Sequence, residues 1–174
     1  MARESGVHRR VEQLIGVPRY EQELPEPVSR SEVHALCAAV QNACPVFWDS
    51  AAALRIVGEE IAPTAMLSTW GRPGLWSPHD GAPAMPLQLH SDLKALYDFP
   101  VAIVSSVDSV FHAPVRVGDR VRTVQVLRSV SEEKETRLGR GRFWVVEMQY
   151  RRVDGELLGI ESFSCFGYRR VEAQ

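Results

Sequence analysis

Proton-transfer chemistry needs His, Asp or Glu side chains that can meet around one reacting atom, and we first consider two places where such groups are adjacent in the sequence. Glu59 and Glu60 form one of them. His79 and Asp80 form the other, in a stretch from Gly71 to Pro86 that contains four Pro and three Gly. Adjacent side chains point apart, so the His-Asp pair is typical of a solvated turn, although loops of this length are often functional.

A third candidate is the stretch from Gln41 to Asp49, which reads Gln-Asn-Ala-Cys-Pro-Val-Phe-Trp-Asp. It resembles the catalytic loop of the MaoC-like (R)-specific enoyl-CoA hydratases, a hotdog-fold family. In that family, an Asp and a His of the loop form the acid–base dyad that adds water across a 2-enoyl thioester. When Pro45 is placed on the family's proline, Asn42 falls on the catalytic Asp and Phe47 falls on the catalytic His.

The residues at these two positions remove the chemistry that the resemblance implies. Asn has no group that titrates near pH 7, and Phe has no heteroatom. A positioned general acid or base contributes about 10²- to 10⁴-fold to a rate, so the loss of both leaves little hydration. We therefore predict no catalytic residue in this chain, with Asn42 and Phe47 occupying the two dyad positions.

A second part of the resemblance is Ile61-Ala62-Pro63 and the residues that follow it. This segment is similar to the start of the central helix of the hotdog, and Pro63 suits the first turn of a helix. In the family, the first backbone N–H groups of that helix point at the thioester carbonyl, where free donors and a positive dipole can stabilise an oxyanion. The resemblance implies these substrate-binding residues: Asn42, Phe47, Trp48, Pro63, Thr64, Met66 and Trp70.

The third part is the block Phe111-His112-Ala113-Pro114-Val115-Arg116-Val117-Gly118-Asp119, which is similar to a block in N-terminal MaoC-like dehydratase domains. In the family, the position of His112 belongs to the entry of a strand, so we favour a structural role for His112 over a catalytic one. Together with a hairpin signal at Asp154-Gly155, the matches occur in the family's order and cover about residues 20 to 170.

Local patterns predict helices in the first part of the chain. Ser29 and Glu32 form a capping box, and apolar residues follow at helical spacing as far as Gln41. Asp49 is predicted to cap a short helix that ends at Gly58, and we favour this role over a catalytic one. Further helices are predicted over residues 3–15 and 87–96.

The second part of the chain predicts an antiparallel meander, with strands over residues 101–111, 121–130, 142–152 and 157–168. Asp154-Gly155 predicts a two-residue hairpin turn, and the charged segment from Ser131 to Arg140 predicts an exposed turn. Helices followed by a meander match the α+β hotdog fold, an antiparallel sheet wrapped around a central helix. We expect a single domain over residues 1–174, with residues 1–19 as an N-terminal helical extension.

Composition excludes several classes of protein. The chain has 174 residues, 45% of them hydrophobic, and its net charge of −2 gives no reason to expect nucleic acid or a membrane surface as a partner. No apolar run approaches the ~20 residues of a membrane helix, and the N-terminus lacks the apolar region of a signal peptide. Cys37, Cys44 and Cys165 show no metal spacing and suit a reducing cytoplasm as three core thiols. We expect a cytoplasmic protein with no metal and no cofactor.

In the family, paired hotdogs share one acyl channel, and often one carries the dyad while the other has lost it. The resemblance therefore implies a non-catalytic subunit of a heteromeric enoyl-CoA hydratase or dehydratase, with an acyl-CoA substrate and a second MaoC-like hotdog subunit that carries the Asp/His dyad. Phe47 and Trp48 would then line a channel for a bulky steroid or long-chain acyl group, and core packing is the alternative role for both. Two other functions stay open: a hotdog acyl-CoA thioesterase using Glu59 or Glu60, and a non-enzymatic acyl-CoA-binding or structural subunit.

Overall fold

The computed structural model describes residues 2–72 and 85–170, so His79 and Asp80 lie outside the described residues. Its elements are the helices α1 (Ala2–Glu12), α2 (Arg30–Ala39), α3 (Ser50–Ile56) and α4 (Gln88–Leu96), the 3₁₀ helices Pro45–Phe47 and Thr64–Gly71, and the strands β1 (Pro18–Glu23), β2 (Val101–Phe111), β3 (Val121–Val130), β4 (Lys134–Thr136), β5 (Gly139–Arg152) and β6 (Leu157–Arg169). None of the described helices has the length and apolar content needed to cross a bilayer.

The six strands of the described residues form one antiparallel sheet in the order β1-β3-β5-β6-β2, with β4 paired to the start of β5. The predicted antiparallel sheet is confirmed, but the predicted meander is right only for β3, β5 and β6, because β2 pairs with β6 and not with β3. The alternation read in β5 is also confirmed, because Trp144, Val146, Met148 and Tyr150 all face the core and are buried. The first two strands in sequence order, β1 and β2, lie at the two edges of the sheet.

Two hydrophobic clusters cover one face of the sheet. The first contains residues of α2 together with Met66, Leu67 and Trp70 of the 3₁₀ helix Thr64–Gly71, and these pack against strand residues such as Tyr150. The second contains Leu89 and Leu93 of α4 and Val11 of α1, which pack against strand residues such as Trp144. The inner face of the sheet is therefore covered by four helical segments, two in each cluster, rather than by one central helix.

The prediction of a regular central helix beginning near Pro63 is wrong in its form. Pro63 is the N-cap of a 3₁₀ helix, and the α-helix that packs across the second cluster is α4. Thr and Ser are weaker helix formers than Ala or Leu, and three of them occur between residues 64 and 69. The three-residue repeat of a 3₁₀ helix also places Leu67 and Trp70 on the same side, where both are buried.

The prediction of an exposed turn over residues 131–140 is wrong in part. Residues Lys134–Thr136 form β4, which pairs with the first residues of β5. Gly141 makes this extension of β5 possible, because a Cβ at this position would clash with the backbone of the neighbouring strand at Gly167. The polar composition of the segment favoured a turn in the prediction, because β4 is short and pairs only with the first three residues of β5.

The hairpin between β5 and β6 is confirmed, but its turn has three residues rather than two. The N–H of Arg152 donates to the carbonyl of Glu156 at 2.8 Å, and the N–H of Gly155 donates back to the carbonyl of Arg152 at 2.8 Å. Gly155 has a φ of 101°, a value that favours glycine. This is the pattern of a turn followed by a left-handed residue, the usual alternative to a two-residue hairpin.

The segment Val115–Asp119 links two helical segments, the start of α2 and the residues before Thr64, to the sheet. The N–H of Val28, just before α2, donates to the carbonyl of Asp119 at 2.9 Å, and the N–H of Ala62 donates to that of Val115 at 2.8 Å. The carboxylate of Asp119 is buried and accepts from Nε of Arg152 at 2.9 Å. The start of α2 and the segment before Thr64 are therefore held in place by one ion-paired corner of the sheet.

We expect the free energy of unfolding to decrease as the pH falls from about 7.5 to about 5.5, with His90 of α4 as one cause. Burial, and to a smaller extent the charge of Lys94, lowers the pKa of His90, and Nε1 of Trp144 donates to its Nδ1 at 3.3 Å. A His whose pKa is lower in the folded state binds a proton more readily when unfolded, so acid favours unfolding. Urea titrations at the two pH values should show a smaller decrease for His90→Gln than for the wild type. The control is His112→Gln at an exposed site, and equal decreases in wild type and His90→Gln would contradict the assignment.

Candidate active-site loop

The loop after α2 is shaped by the side chain and backbone of Asn42. The predicted capping box begins the helix, since Ser29 and Glu32 exchange hydrogen bonds with each other's backbone. The helix ends as predicted near Gln41, which has a φ of 55° and turns the chain. The N–H of Asn42 then donates to the carbonyl of Cys37 at 2.8 Å, and its side-chain oxygen accepts from the N–H of Cys44 at 3.0 Å.

Trp48 closes the same loop from its other end. Its Nε1 donates to the carbonyl of Asn42 at 2.7 Å, and its ring stacks on that of His34 with a centroid distance of 4.7 Å. The Trp48 side chain is still 40% exposed. Asp49 follows as the N-cap of α3 and accepts from the N–H of Ala51 at 2.8 Å, so the predicted structural role of Asp49 is confirmed.

Asn42 and Phe47, the residues predicted to occupy the two dyad positions, do not line the same space. Asn42 and Trp48 border a groove of about 520 Å³, which we call the loop groove; it is lined mainly by Cys37, Ala38, Gln41, Asn42, Pro45 and Trp48. Phe47 instead packs against the first hydrophobic cluster and borders a small hollow beside Arg30 and Glu60. The loop thus presents an amide and an indole to the groove, while its phenyl ring points to the core.

The four other residues expected to bind substrate lie in or before the 3₁₀ helix. Pro63 is half-buried and Thr64 is exposed. Met66 and Trp70 are buried in the first cluster, and Nε1 of Trp70 has no hydrogen-bond partner among the described residues. The resemblance placed these four residues in one substrate-binding site with Asn42 and Trp48. In the structure they do not line the loop groove, which is formed by residues of α2 and of the loop.

Both carboxylates required by the thioesterase alternative are engaged by arginines. Glu59 is paired with Arg116, and Glu60 is paired with Arg30. Hydrogen bonds from Ser50 and from Arg30 lower the pKa of Glu60, which makes it a weaker base. A carboxylate that directs a water molecule needs a free acceptor and a pKa near the working pH, so this arrangement argues against a thioesterase role for Glu59 or Glu60.

Other candidate residues from the sequence have structural roles or lie away from the loop. The side chain of His112 is exposed just after β2, and its backbone N–H donates to the carbonyl of Leu158 at 2.9 Å. Cys37 and Cys165 are buried as predicted, but Cys44 is exposed because it begins the 3₁₀ turn of the loop, which corrects the prediction of three core thiols.

Sequence reasoning missed a polar pair on the inner face of the sheet. The hydroxyl of Tyr150 donates to Glu161 at 2.6 Å, and both side chains are buried. Burial and the hydrogen bond to Glu161 raise the pKa of Tyr150. The available signal was Glu161, the one acidic residue of β6, but only the register with β5 shows that it points inward.

Comparison with known proteins identifies the family of the chain. The sequence model of the family described as "FAS1-like, dehydratase domain region" matches residues 13–159. The chain is also similar to a probable enoyl-CoA hydratase alpha subunit from Thermomonospora curvata, at 27% identity over 162 residues, which are 91% of this chain and 50% of that protein. The chain therefore spans about half the length of this curated relative.

Solved structures give the fold. The chain is similar to a chain of the ChsH1-ChsH2 complex from Mycobacterium tuberculosis, with a TM-score of 0.77, 22% identity, and coverage of 97% of this chain and 94% of that one. It also resembles a chain of the HadBC (3R)-hydroxyacyl-ACP dehydratase complex from the same organism, with a TM-score of 0.54, 21% identity, and coverage of 85% of this chain and 95% of that one. A MaoC-like dehydratase from Rhodospirillum rubrum gives a TM-score of 0.58 at 14% identity, with 87% and 92% covered. The chain has the hotdog fold of these proteins, and because the family model matches more than half of its length, it belongs to the family described as FAS1-like, dehydratase domain region.

Proposed function

We propose that the chain is the subunit without a dyad in a heteromeric 2-enoyl thioester hydratase or dehydratase. Its partner would be a second MaoC-like hotdog subunit that supplies the catalytic Asp and His. The observation that carries this proposal is the loop itself. Asn42 at the first dyad position uses its side-chain oxygen to hold the backbone of Cys44, and Phe47 at the second position packs on the core. The relative from Thermomonospora curvata is described as an alpha subunit, and two of the similar structures are complexes of two named components, which supports a heteromer.

The loop groove supports a binding role without catalysis. Its lining is mostly apolar, and the exposed ring of Trp48 forms one wall. Covering apolar surface contributes about 25 cal/mol per Å², so an acyl group that reaches the groove would gain affinity from this wall. In this arrangement the chain contributes to the shape of the acyl channel, and the partner contributes the groups that move protons.

The edge strand β2 supports the presence of a partner. It has 11 residues, and one of its sides has no neighbouring strand in the sheet of the described residues. Val107 and Val110, which lie on opposite faces of β2, are 48% and 54% exposed. Long apolar edges bind other strands readily, and monomeric proteins usually protect them.

The opposite edge of the sheet, formed by β1, is protected against pairing with another strand, unlike β2. Strand β1 has six residues, begins with Pro18, and has an irregular register between Arg19 and Gln22. Its Glu21 and Glu23 are paired with arginines. Proline, charge and bulges are the usual means of blocking an edge, so β2 is the edge that we assign to the partner subunit.

Substitution of Phe47 in the complex tests whether the chain shapes the acyl channel. The chain and its dyad-carrying partner are co-expressed, and kcat/KM is measured for crotonyl-CoA and for a long or ring-bearing enoyl-CoA. We expect Phe47→Ala to change the ratio of the two values by about tenfold, because Phe47 anchors the loop on the first cluster and its loss would let Trp48, which borders the loop groove, shift. The kcat with crotonyl-CoA should change little, since the dyad belongs to the partner.

The matched control is Phe143→Ala, which removes a phenyl ring that is 38% exposed on β5. It should leave the substrate ratio unchanged. Phe47→Leu separates volume from stability, because it keeps an apolar side chain against the first cluster. An unchanged ratio in both Phe47 variants, in a complex that still assembles, would mean that Phe47 is only a core residue.

A further inference from the structure

A second cavity lies on the inner face of the sheet, away from the loop. It has a volume of about 400 Å³ and lies between β1, the end of the 3₁₀ helix and the start of α4. We call it the strand pocket, and its lining includes Tyr20, Gln22, Gln88, Thr123, Gln125 and Met148. A cavity of this size accommodates a small organic ligand or one end of a larger one.

The floor of the strand pocket is polar although it is deeply buried. Thr123 and Gln125 of β3 are each only 5% exposed, and β3 is otherwise buried through apolar residues such as Val121 and Leu127. The side-chain oxygen of Gln125 accepts from the N–H of Leu89 at 2.9 Å. The group that Gln125 can direct at a ligand is therefore its NH₂, and Thr123 adds a hydroxyl.

The rim of the strand pocket is held in an unusual conformation. Tyr20 has a φ of 52°, which is rare for a large side chain, and it lies where the register of β1 with β3 is irregular. Its hydroxyl is hydrogen-bonded to Asp92 of α4, and Asp92 also accepts from Gln88 at 2.8 Å. The carboxylate thus fixes both a phenol and an amide at the mouth of the cavity.

We infer that the strand pocket binds an apolar ligand that carries a neutral oxygen, a ketone or a hydroxyl, at its inserted end. Buried donors on the floor favour an acceptor oxygen, and a plain hydrocarbon would leave these groups without partners. None of the described lining residues is Lys or Arg, while Glu21 and the nearby Asp92 are acidic, so a carboxylate is disfavoured. This inference rests on the proposed function only in naming the natural ligand, which would be the oxygen-bearing far end of an acyl group.

Three probes of matched shape test the inference on the full chain: 4-phenylcyclohexanone, phenylcyclohexane and 4-phenylcyclohexanecarboxylate. Titrations followed by amide chemical shifts give the affinity and the location of each. We expect the ketone to bind about tenfold more tightly than the hydrocarbon, with shifts centred on Thr123 and Gln125, because one hydrogen bond to a buried donor distinguishes them. The carboxylate should bind the most weakly of the three.

Thr123→Val removes the hydroxyl and keeps the shape of the side chain. It should decrease the affinity for the ketone several-fold and leave the affinity for the hydrocarbon unchanged. Thr123→Ser keeps a hydroxyl and should therefore keep the preference for the ketone over the hydrocarbon. Thr136→Val, on the remote strand β4, should change neither affinity. Equal affinities of the wild type for ketone and hydrocarbon, or an absence of shifts at the strand pocket, would overturn the inference. The assay uses free ligands and no partner, so it can succeed even if the proposed heteromer fails, and fail even if the heteromer is real.

Discussion

We expect the purified chain alone to hydrate crotonyl-CoA at least about 10⁴-fold more slowly than the complex of the chain with a partner that carries the dyad. Each missing general acid or base is worth about 10²- to 10⁴-fold, and the two act together rather than additively. Loss of the enoyl thioester absorbance measures the rate for the chain, the partner and the mixture. The rate of the mixture should increase until the two subunits are present in equal amounts.

The double variant Asn42→Asp with Phe47→His will recover little of this activity in the isolated chain. The carboxylate introduced by Asn42→Asp would keep the hydrogen bond to the N–H of Cys44, but a His in place of Phe47 would begin on the core side of the loop, away from the groove that Asn42 borders. A catalytic group must come within about 2.6–3.2 Å of its proton, and surrounding residues must hold it there.

One result would contradict this assignment. If the wild-type chain alone hydrates crotonyl-CoA rapidly and His112→Ala abolishes the hydration, the catalytic site lies near His112 and not at the loop of Asn42 and Phe47. His112 is exposed at the end of β2, so its removal should otherwise have little effect on stability.

The largest effect on assembly should come from charge on β2. We expect Val107→Glu or Val110→Lys to weaken association with the proposed partner subunit by about 100-fold or more, because the interface that we assign to β2 would then enclose a charge among apolar side chains. Both positions are about half exposed in the chain alone, so the monomer should keep its circular dichroism spectrum and its midpoint of thermal unfolding. Sedimentation of the mixed subunits measures the association.

The control for these variants lies at the opposite edge. Gln22→Lys on β1 adds one charge to a strand that already carries Arg19, Glu21 and Glu23, and association should be unaffected. If Gln22→Lys disrupts the complex and the β2 variants do not, the partner binds β1, and the protection of that edge does not exclude a partner from it.

The sequence was most informative where a local cause determines a local structure. The capping box at Ser29 and Glu32, the cap at Asp49 and the limits of β2 and β3 could all be predicted, because each depends on spacing within one element. The hairpin at Asp154-Gly155 was found, yet its length was wrong by one residue, since Arg152 and Glu156 decide the register through their own pairing.

The site was harder to predict because it depends on directions that spacing does not give. Asn42 and Phe47 are five residues apart and were treated as two walls of one site. A 3₁₀ turn at Pro45–Phe47 directs Phe47 toward the first cluster while Asn42 borders the loop groove. The polar floor formed by Thr123 and Gln125 was also missed, since a strand with alternating burial normally has apolar residues on its inner face.

The order of the strands also has a consequence for synthesis on the ribosome. The edge strand β2 pairs with β6, so that Ile103 lies opposite Phe166, and β2 cannot pair with its neighbour until residues near 166 have emerged. At roughly 5–20 residues per second, this delay lasts several seconds. During that time an apolar strand is available to any nascent neighbour, and the proposed partner subunit, if translated nearby, would have access to it. A partner that captured β2 at this stage would act as a folding template as well as a catalytic subunit.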